Sequence, residues 1–260
     1  MNPEPHRPPH MSLGKSPVAA NASRLPGIWL LRTDDIISGS PSADALAKLL
    51  SGEERARQRS YRSEDAQHQF LLGRALMRRV LGKLSGTQPE ALRFSRLPSG
   101  KPLLENAPEL HFSLSHSGRW IALAVSESQA IGIDIEQPQK PRNFARIARH
   151  YFHPQECALL DAPPRELMPI HFYRMWTLKE AFYKARGTGI SEGLGRVDFS
   201  GFHLGEGVQF ASDLPGRELP WQFFYAMYPL RDTSQLHLAV AGVDPAIADL
   251  SAKAIRRGMA

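Results

Sequence analysis

Apolar and polar positions alternate along the chain with two periods. In EDAQHQFLLGRALMRRVLGKL (64–84), Phe70, Leu72, Leu76, Val80 and Leu84 recur at helical spacing, which predicts an amphipathic helix. A second helix is read over PIHFYRMWTLKEAFYKARGTG (169–189), stopped by Gly187 and Gly189. Shorter helical patterns cover 41–60, with Pro41 near the start, and roughly 142–152 and 154–161. Period-two stretches read as strands: GIWLLR (27–32), a hairpin in ELHFSLSHSGRWIALAVS (109–126) turning around SHSGR, and IGIDIE (131–136), which QPQKP (137–141) ends. LPSGKP (97–102) reads as a turn. Beyond residue 190, FHL, WQFFYAMY and LHLAVAGV resemble further antiparallel strands. Helices and antiparallel strands in this order predict an α+β class rather than a parallel sheet.

The two long helices share a local pattern. LLGRALMRR (71–79) superposes on TLKEAFYKA (177–185) so that Arg74 falls on Glu180 and Arg78 on Lys184. Each helix precedes a turn and a hairpin, so two similar α+β halves are expected. The boundaries read from the chain are a Pro-rich flexible tail at 1–26, an N-terminal half at 27–126, a C-terminal half at 127–246 and a C-terminal tail at 247–260.

Composition narrows the partners. The 260 residues carry a formal net charge of +6, which suits an anionic partner such as a nucleic acid, a nucleotide or an acidic protein. The arginine clusters at 54–62, 74–79 and 142–149 and the IRRG near the end serve equally as solvated helix faces. Cys157 is the only cysteine, so no intrachain disulfide can form; a reducing compartment, the cytoplasm, is expected. No run is long enough to span a bilayer, and no leader with a cleavage site is read.

IGIDIE carries the first candidate chemistry. Alternation places Ile131, Ile133 and Ile135 on one face, toward a core, and Asp134 and Glu136 on the other, a face that Gly132, with no side chain, is expected to open. Two carboxylates side by side repel unless a cation lies between them, and oxygen-only ligation suits magnesium. An exposed edge strand with solvated acids explains the pair equally well. The helix WTLKEAFYKARG adds Trp176, Glu180 and Lys184 on one face, four residues apart. They form either an ordinary surface pair or a third carboxylate and a cation for a phosphate-handling magnesium site. The Ser115-His116-Ser117-Gly118 tip and the Ser99-Gly100-Lys101-Pro102 turn are both compatible with plain turns. The free N–H groups of the second, with Lys101, could also serve a phosphate or a purine edge. No GxxxxGK[ST], HExxH or strand-borne GxGxxG occurs, and His150 and His153 have no companion zinc ligands.

Four stretches in order, SGKP, FSLSHSGRW, GIDIE and W-x-x-K-E-A-x-x-K-x-x-G, resemble the signature of the 4′-phosphopantetheinyl transferase superfamily, in its Sfp-type single-chain branch. The likeness covers about residues 50–190. It implies a pseudo-twofold α+β monomer of the 4′-phosphopantetheinyl transferase fold, with coenzyme A bound between the halves. The implied reaction moves the phosphopantetheine arm to a serine of an apo acyl or peptidyl carrier protein and releases 3′,5′-ADP. By position, Asp134, Glu136 and Glu180 would hold Mg²⁺ on the pyrophosphate. Glu180 would help remove the serine proton, directly or through a water on the metal, and Lys184 would assist the departing phosphate. His116 and Ser115 would meet the nucleotide phosphates; Ser99, Gly100, Lys101 and Pro102 would meet the adenine end and 3′-phosphate. Arg57, with Arg55 as its neighbour and alternative, would supply a basic phosphate contact. The chain departs from the pattern at Phe70, where some relatives have a hydroxyl, and at Glu54, where some are basic.

Two other readings use the same residues. A magnesium-dependent phosphohydrolase or nucleotidyl transferase would need the acids but finds no nucleophile or phosphate loop. A nucleic-acid-binding protein would use the arginines but leaves the acids of IGIDIE unexplained. The partners that the resemblance implies are coenzyme A and a carrier protein, with no nucleic acid and no membrane.

Overall fold

A computed structural model describes residues 26–127, 130–162, 164–230, 232, 234–251 and 255–257. Nearly all of the expected N-terminal tail therefore lies outside the described residues. The chain is α+β, with antiparallel pairing throughout except at one edge.

The first sheet is built from β1 (Gly27–Arg32), β4 (His111–Ser117) and β5 (Trp120–Ser126). A short strand, β11 (Ile255–Arg257), pairs in parallel with β1, so this piece of the expected C-terminal tail joins the sheet. Between β1 and β4 run α1 (Pro41–Ala47), α2 (Gly52–Ser60), α3 (Glu64–Ser85) and the hairpin of β2 (Phe94–Arg96) and β3 (Pro102–Leu104). The single helix read over 41–60 is in fact two. Ser51 closes a capping box with Glu54, each side chain taking the other's backbone N–H, and this starts α2 afresh. Leu72, Leu76 and Val80 of α3 are buried against the first sheet, with Phe70 and Leu84 at the margin.

The second sheet has the order β6 (Ile131–Glu136), β10 (Gln235–Gly242), β9 (Gln222–Pro229). Helices α4 (Phe144–Tyr151), α5 (Pro154–Asp161) and α6 (Met168–Arg186) and the small pair β7 (Val197–Asp198) and β8 (Gln209–Phe210) cover one face of it. FHL, read as a strand, is instead a 3₁₀ turn at Phe202–Leu204. Gly187 ends α6 in the left-handed conformation (φ 72°), as its position after the last periodic residue predicts.

Ile131, Ile133 and Ile135 lie in a core shared with Ile28, Ala122 and Ala124 of the first sheet and with β10. The expected alternation of β6 thus holds, but the role of Gly132 differs. Rather than opening the face, it closes it: a Cβ there would overlap the Ala181 carbonyl and the Ala185 nitrogen of α6. The missing side chain lets the helix lie directly on the strand.

Candidate active site

The two sheets meet along β4 and β6, and serine side chains rather than backbone carbonyls join them. Ser113, Ser115 and Ser117 share one face of β4, two residues apart. Their hydroxyls accept from the backbone N–H groups of Ile133 (3.1 Å), Ile135 (3.4 Å) and Gln137 (3.0 Å). Two of them then donate onward: Ser115 to Asp134 Oδ1 at 2.8 Å and Ser117 to Glu136 Oε2 at 2.9 Å. The three hydroxyls therefore set the register of β6, and those of Ser115 and Ser117 also aim the carboxylate one residue before their N–H partner. Period-two serines in an otherwise apolar strand, FSLSHS, were the available signal for this seam. Neither Ser113 nor Ser117 was singled out from the sequence.

Lys184, in the last turns of α6, reaches the same point. Its Nζ lies 2.6 Å from Asp134 Oδ1 and 3.0 Å from Ser115 Oγ. Ser115 thereby uses its one donor and both acceptor positions within the protein. Its expected partner was a phosphate; its actual partners are Asp134, Ile135 and Lys184. The other oxygen of Asp134, Oδ2, is buried and has no hydrogen-bond partner among the described residues.

Glu180, one turn before Lys184, completes the group. Trp176, Glu180 and Lys184 form the half-exposed stripe expected of their spacing on a helix otherwise buried around this turn. Burial first, then the neighbouring charges of Asp134 and Glu136, push the Glu180 carboxyl up to about 7, with Lys184 opposing. Glu136 is raised for the same reasons, burial and then Asp134, with the Ser117 hydrogen bond pulling the other way. Glu136 and Glu180 thus both feel the charge of Asp134, and the fold brings together the three acids that the resemblance implies.

Beside this acidic group lies a cavity of about 520 Å³, lined by α2, α3, the 97–102 turn, β4 and the end of α6. Arg57, Ser99, Lys101, Pro102, His116 and Lys184 all face it, as do Arg74 and Arg96, which the sequence reading did not select. Arg55 turns away, donating to the Leu50 carbonyl, so Arg57 is the cation of that pair at the cavity. Gly100 sits at the turn itself (φ 88°), bonded to Leu97, behind the lining. Phe70 stands in the wall, stacked near Arg74. Glu54 is ion-paired with Arg78 at 2.8 Å. His116 lies at the mouth, where surrounding protein and then the Lys184 charge hold its imidazole below the usual histidine value. Lys101 departs furthest from expectation. Its ammonium does not point into the cavity but donates to the carbonyls of Lys184 and Ala185, each at 2.7 Å.

The donor set fits a hard divalent cation in kind. It is all oxygen, it gathers like charges that destabilise one another, and it contains a buried carboxylate oxygen without a partner. It is not a closed cage: among the described residues no three His, Cys, Asp or Glu side chains already stand as a metal cluster. Lys184 takes up Asp134 Oδ1. Nor is any helix among the described residues long and apolar enough to cross a membrane.

Comparison with known proteins agrees with this geometry. A profile of the 4′-phosphopantetheinyl transferase superfamily matches residues 130–241, which hold β6, α6 and β10. A second, for the N-terminal region of a 4′-phosphopantetheinyl transferase, matches residues 40–128. The chain is 37% identical to the 4′-phosphopantetheinyl transferase Sfp of Bacillus subtilis over 172 residues, 66% of this chain and 74% of that protein. It is 40% identical to another Bacillus subtilis 4′-phosphopantetheinyl transferase over 149 residues, 57% of this chain and 65% of the relative. It is 35% identical to the 4′-phosphopantetheinyl transferase HetI of a Nostoc species over 150 residues, 56% and 63% of the two chains. With the acidic group, the cationic cavity and two profiles that reach into both sheets, the chain belongs to the 4′-phosphopantetheinyl transferase superfamily and is a transferase enzyme.

Proposed function

We propose that the protein moves the 4′-phosphopantetheine arm of coenzyme A to a serine of apo acyl or peptidyl carrier proteins, with Mg²⁺ as cofactor and 3′,5′-ADP as the product released. The observation that carries this reading is the convergence of Asp134, Glu136 and Glu180 next to Lys184 at the edge of a cavity rich in arginine. Coenzyme A brings several phosphate charges, and a cleft that accepts it must supply fixed cations.

Asp134, Glu136 and Glu180 are the residues that would hold the metal, the unpartnered Oδ2 of Asp134 being the oxygen most in need of a cation. Bound there, Mg²⁺ supplies charge neutralisation for a pyrophosphate. The chain's own residues do the rest. Lys184 leaves Asp134 for the phosphate oxygen on which charge builds as the bond to the arm breaks. His116, beside Ser115, orients the phosphates at the cavity mouth, and Arg57 fixes the nucleotide end. Ser99, Gly100, Pro102 and the stem of Lys101 shape the wall that receives the adenine. Glu180 takes the proton of the attacking serine hydroxyl, directly or through a water. Positioning and charge stabilisation, rather than covalent chemistry by the protein, carry such a transfer.

Two halves, 27–126 and 127–246, related by a pseudo-twofold, account for the arrangement, each presenting a long helix, α3 or α6, to its own antiparallel sheet. A monomer in the cytoplasm is the state in which this enzyme would meet its carrier, and a basic chain would steer an acidic carrier toward it.

The test is to incubate the purified protein with coenzyme A, Mg²⁺ and a panel of apo carriers from fatty-acid, polyketide and peptide synthesis, and to weigh each carrier. Gain of one phosphopantetheine arm, with 3′,5′-ADP in the supernatant, is expected. Absence of that gain across the panel would remove the reading.

A further inference from the structure

An ammonium group has three hydrogens, and at Lys101 three backbone carbonyls meet them: Lys184 O and Ala185 O at 2.7 Å and Ile131 O at 3.5 Å. Two of these carbonyls close α6, where the last turn leaves its C=O groups without intrahelical partners and the helix dipole favours a cation. The third opens β6, the strand that carries Asp134 and Glu136. No carboxylate is among the groups that perturb Lys101; burial alone acts on it. Its stem runs across the glycine that ends α6, so closely that a Cβ at Gly187 would stand 3.0 Å from Lys101 Cδ.

One side chain on the 97–102 turn thus ties the first half of the chain to both elements that build the acidic group. A phosphate could claim this ammonium only by stripping it from carbonyls in a buried place. The geometry points to Lys101 as a positioning residue: its ammonium clamps the end of α6 and fixes where Lys184 presents its charge to the cavity. It does not itself bind a coenzyme A phosphate. The catalytic consequence rests on the transferase reading; the clamp does not.

Two measurements test it. In the free protein, an amine-acylating reagent followed by peptide mass spectrometry leaves Lys101 unmodified under conditions that label the exposed Lys83 and Lys140, and adding coenzyme A changes nothing at Lys101. Labelling in the free protein that coenzyme A suppresses would overturn the clamp, and this readout needs no variant to fold. In the transfer assay, Lys101→Met keeps the stem and removes the donors. It should lower kcat ~10–100-fold while KM for coenzyme A stays within about threefold. Lys101→Arg should not restore kcat, because a planar guanidinium cannot direct donors at three converging carbonyls. An unchanged kcat with a KM raised about tenfold or more in the Met variant, or full rescue by Arg, would show a phosphate ligand instead. If the wild-type protein modifies no carrier, the transferase reading fails, and the labelling experiment still decides the clamp.

Discussion

Helix α6 carries two lysines that each meet a carboxylate, and the two pairs are opposite in character. Lys179 and Lys184 lie five residues apart, about 140° around the helix, so they face different surroundings. Lys179 and Glu156 are both fully buried and 2.8 Å apart. All three donors of Lys179 and both oxygens of Glu156 are engaged: Lys179 also donates to the carbonyls of Leu194 and Val197, and Glu156 accepts from the N–H groups of His153 and Phe199 at 2.9 Å. Lys184 is 31% exposed, and its partner Asp134 keeps one oxygen without a partner among the described residues. A further carboxylate, Glu180, lies close enough to be raised by it. A saturated pair is scaffold, since no ligand can improve it. An unsaturated pair amid like charges is stabilised by whatever cation or anion arrives, and that makes it a site.

The largest effect should come from breaking the saturated pair. Lys179→Met leaves Glu156 charged or protonated in a dry interior, and should lower unfolding free energy by about 3–5 kcal/mol. Urea denaturation measures this, and Glu156→Gln on top of it should recover part of the loss, because it removes the buried charge while its single amide oxygen keeps an acceptor for only one of His153 and Phe199. Lys184→Met should do the reverse, leaving stability within about 1 kcal/mol but slowing carrier modification ~10²–10³-fold. If both substitutions cost stability alike and neither touches turnover selectively, the contrast between the pairs is false.

His237 also belongs to the buried scaffold and titrates accordingly. It lies on β10 opposite Glu136, almost fully buried, with Nδ1 2.7 Å from the Tyr225 hydroxyl. Burial, and then the Arg174 charge, drop its imidazole to about 4. A histidine whose folded pKa is depressed binds its proton more readily when unfolded. Its contribution is therefore present above about pH 6.5 and is lost as pH falls toward 4, roughly 3 kcal/mol across that window. His237→Asn should flatten this part of the stability-versus-pH curve; an unaltered slope would show that the ring is protonated in the fold.

The smallest effect sharpens the unsaturated side. Ser117→Ala removes the hydroxyl that orients Glu136 and takes the Gln137 N–H. Half-saturation for Mg²⁺, measured by titration calorimetry with coenzyme A present, should weaken ~10-fold, while stability falls by about 1 kcal/mol. Unchanged Mg²⁺ affinity would exclude the seam from any part in aiming the acids.

Much of this was legible in residue order because it depends on local periodicity. The alternation of faces in IGIDIE, the length of α3 and α6, the hairpin of β4 and β5 and the common face of Trp176, Glu180 and Lys184 all follow from repeats of two and of about four. Where a local signal was overlooked, the error was local too: the capping box of Ser51 and Glu54 splits 41–60 into two helices. Alternation alone puts Asp134 and Glu136 on one face, whereas Glu180, on another element, was assigned to the group only through the family resemblance.

What residue order could not tell is which partner each polar group takes, because partners lie far along the chain and are selected by packing. Lys101 looked like a phosphate ligand by its neighbours in sequence, yet the fold brings the end of α6 to its ammonium. Gly132 looked like an opening, yet a helix fifty residues away fills it. Lys179 and Lys184 look alike in the string KEAFYK. Burial, which belongs to the folded chain alone, makes one a sealed support and leaves the other free to act, since the strength of a charge depends on what surrounds it.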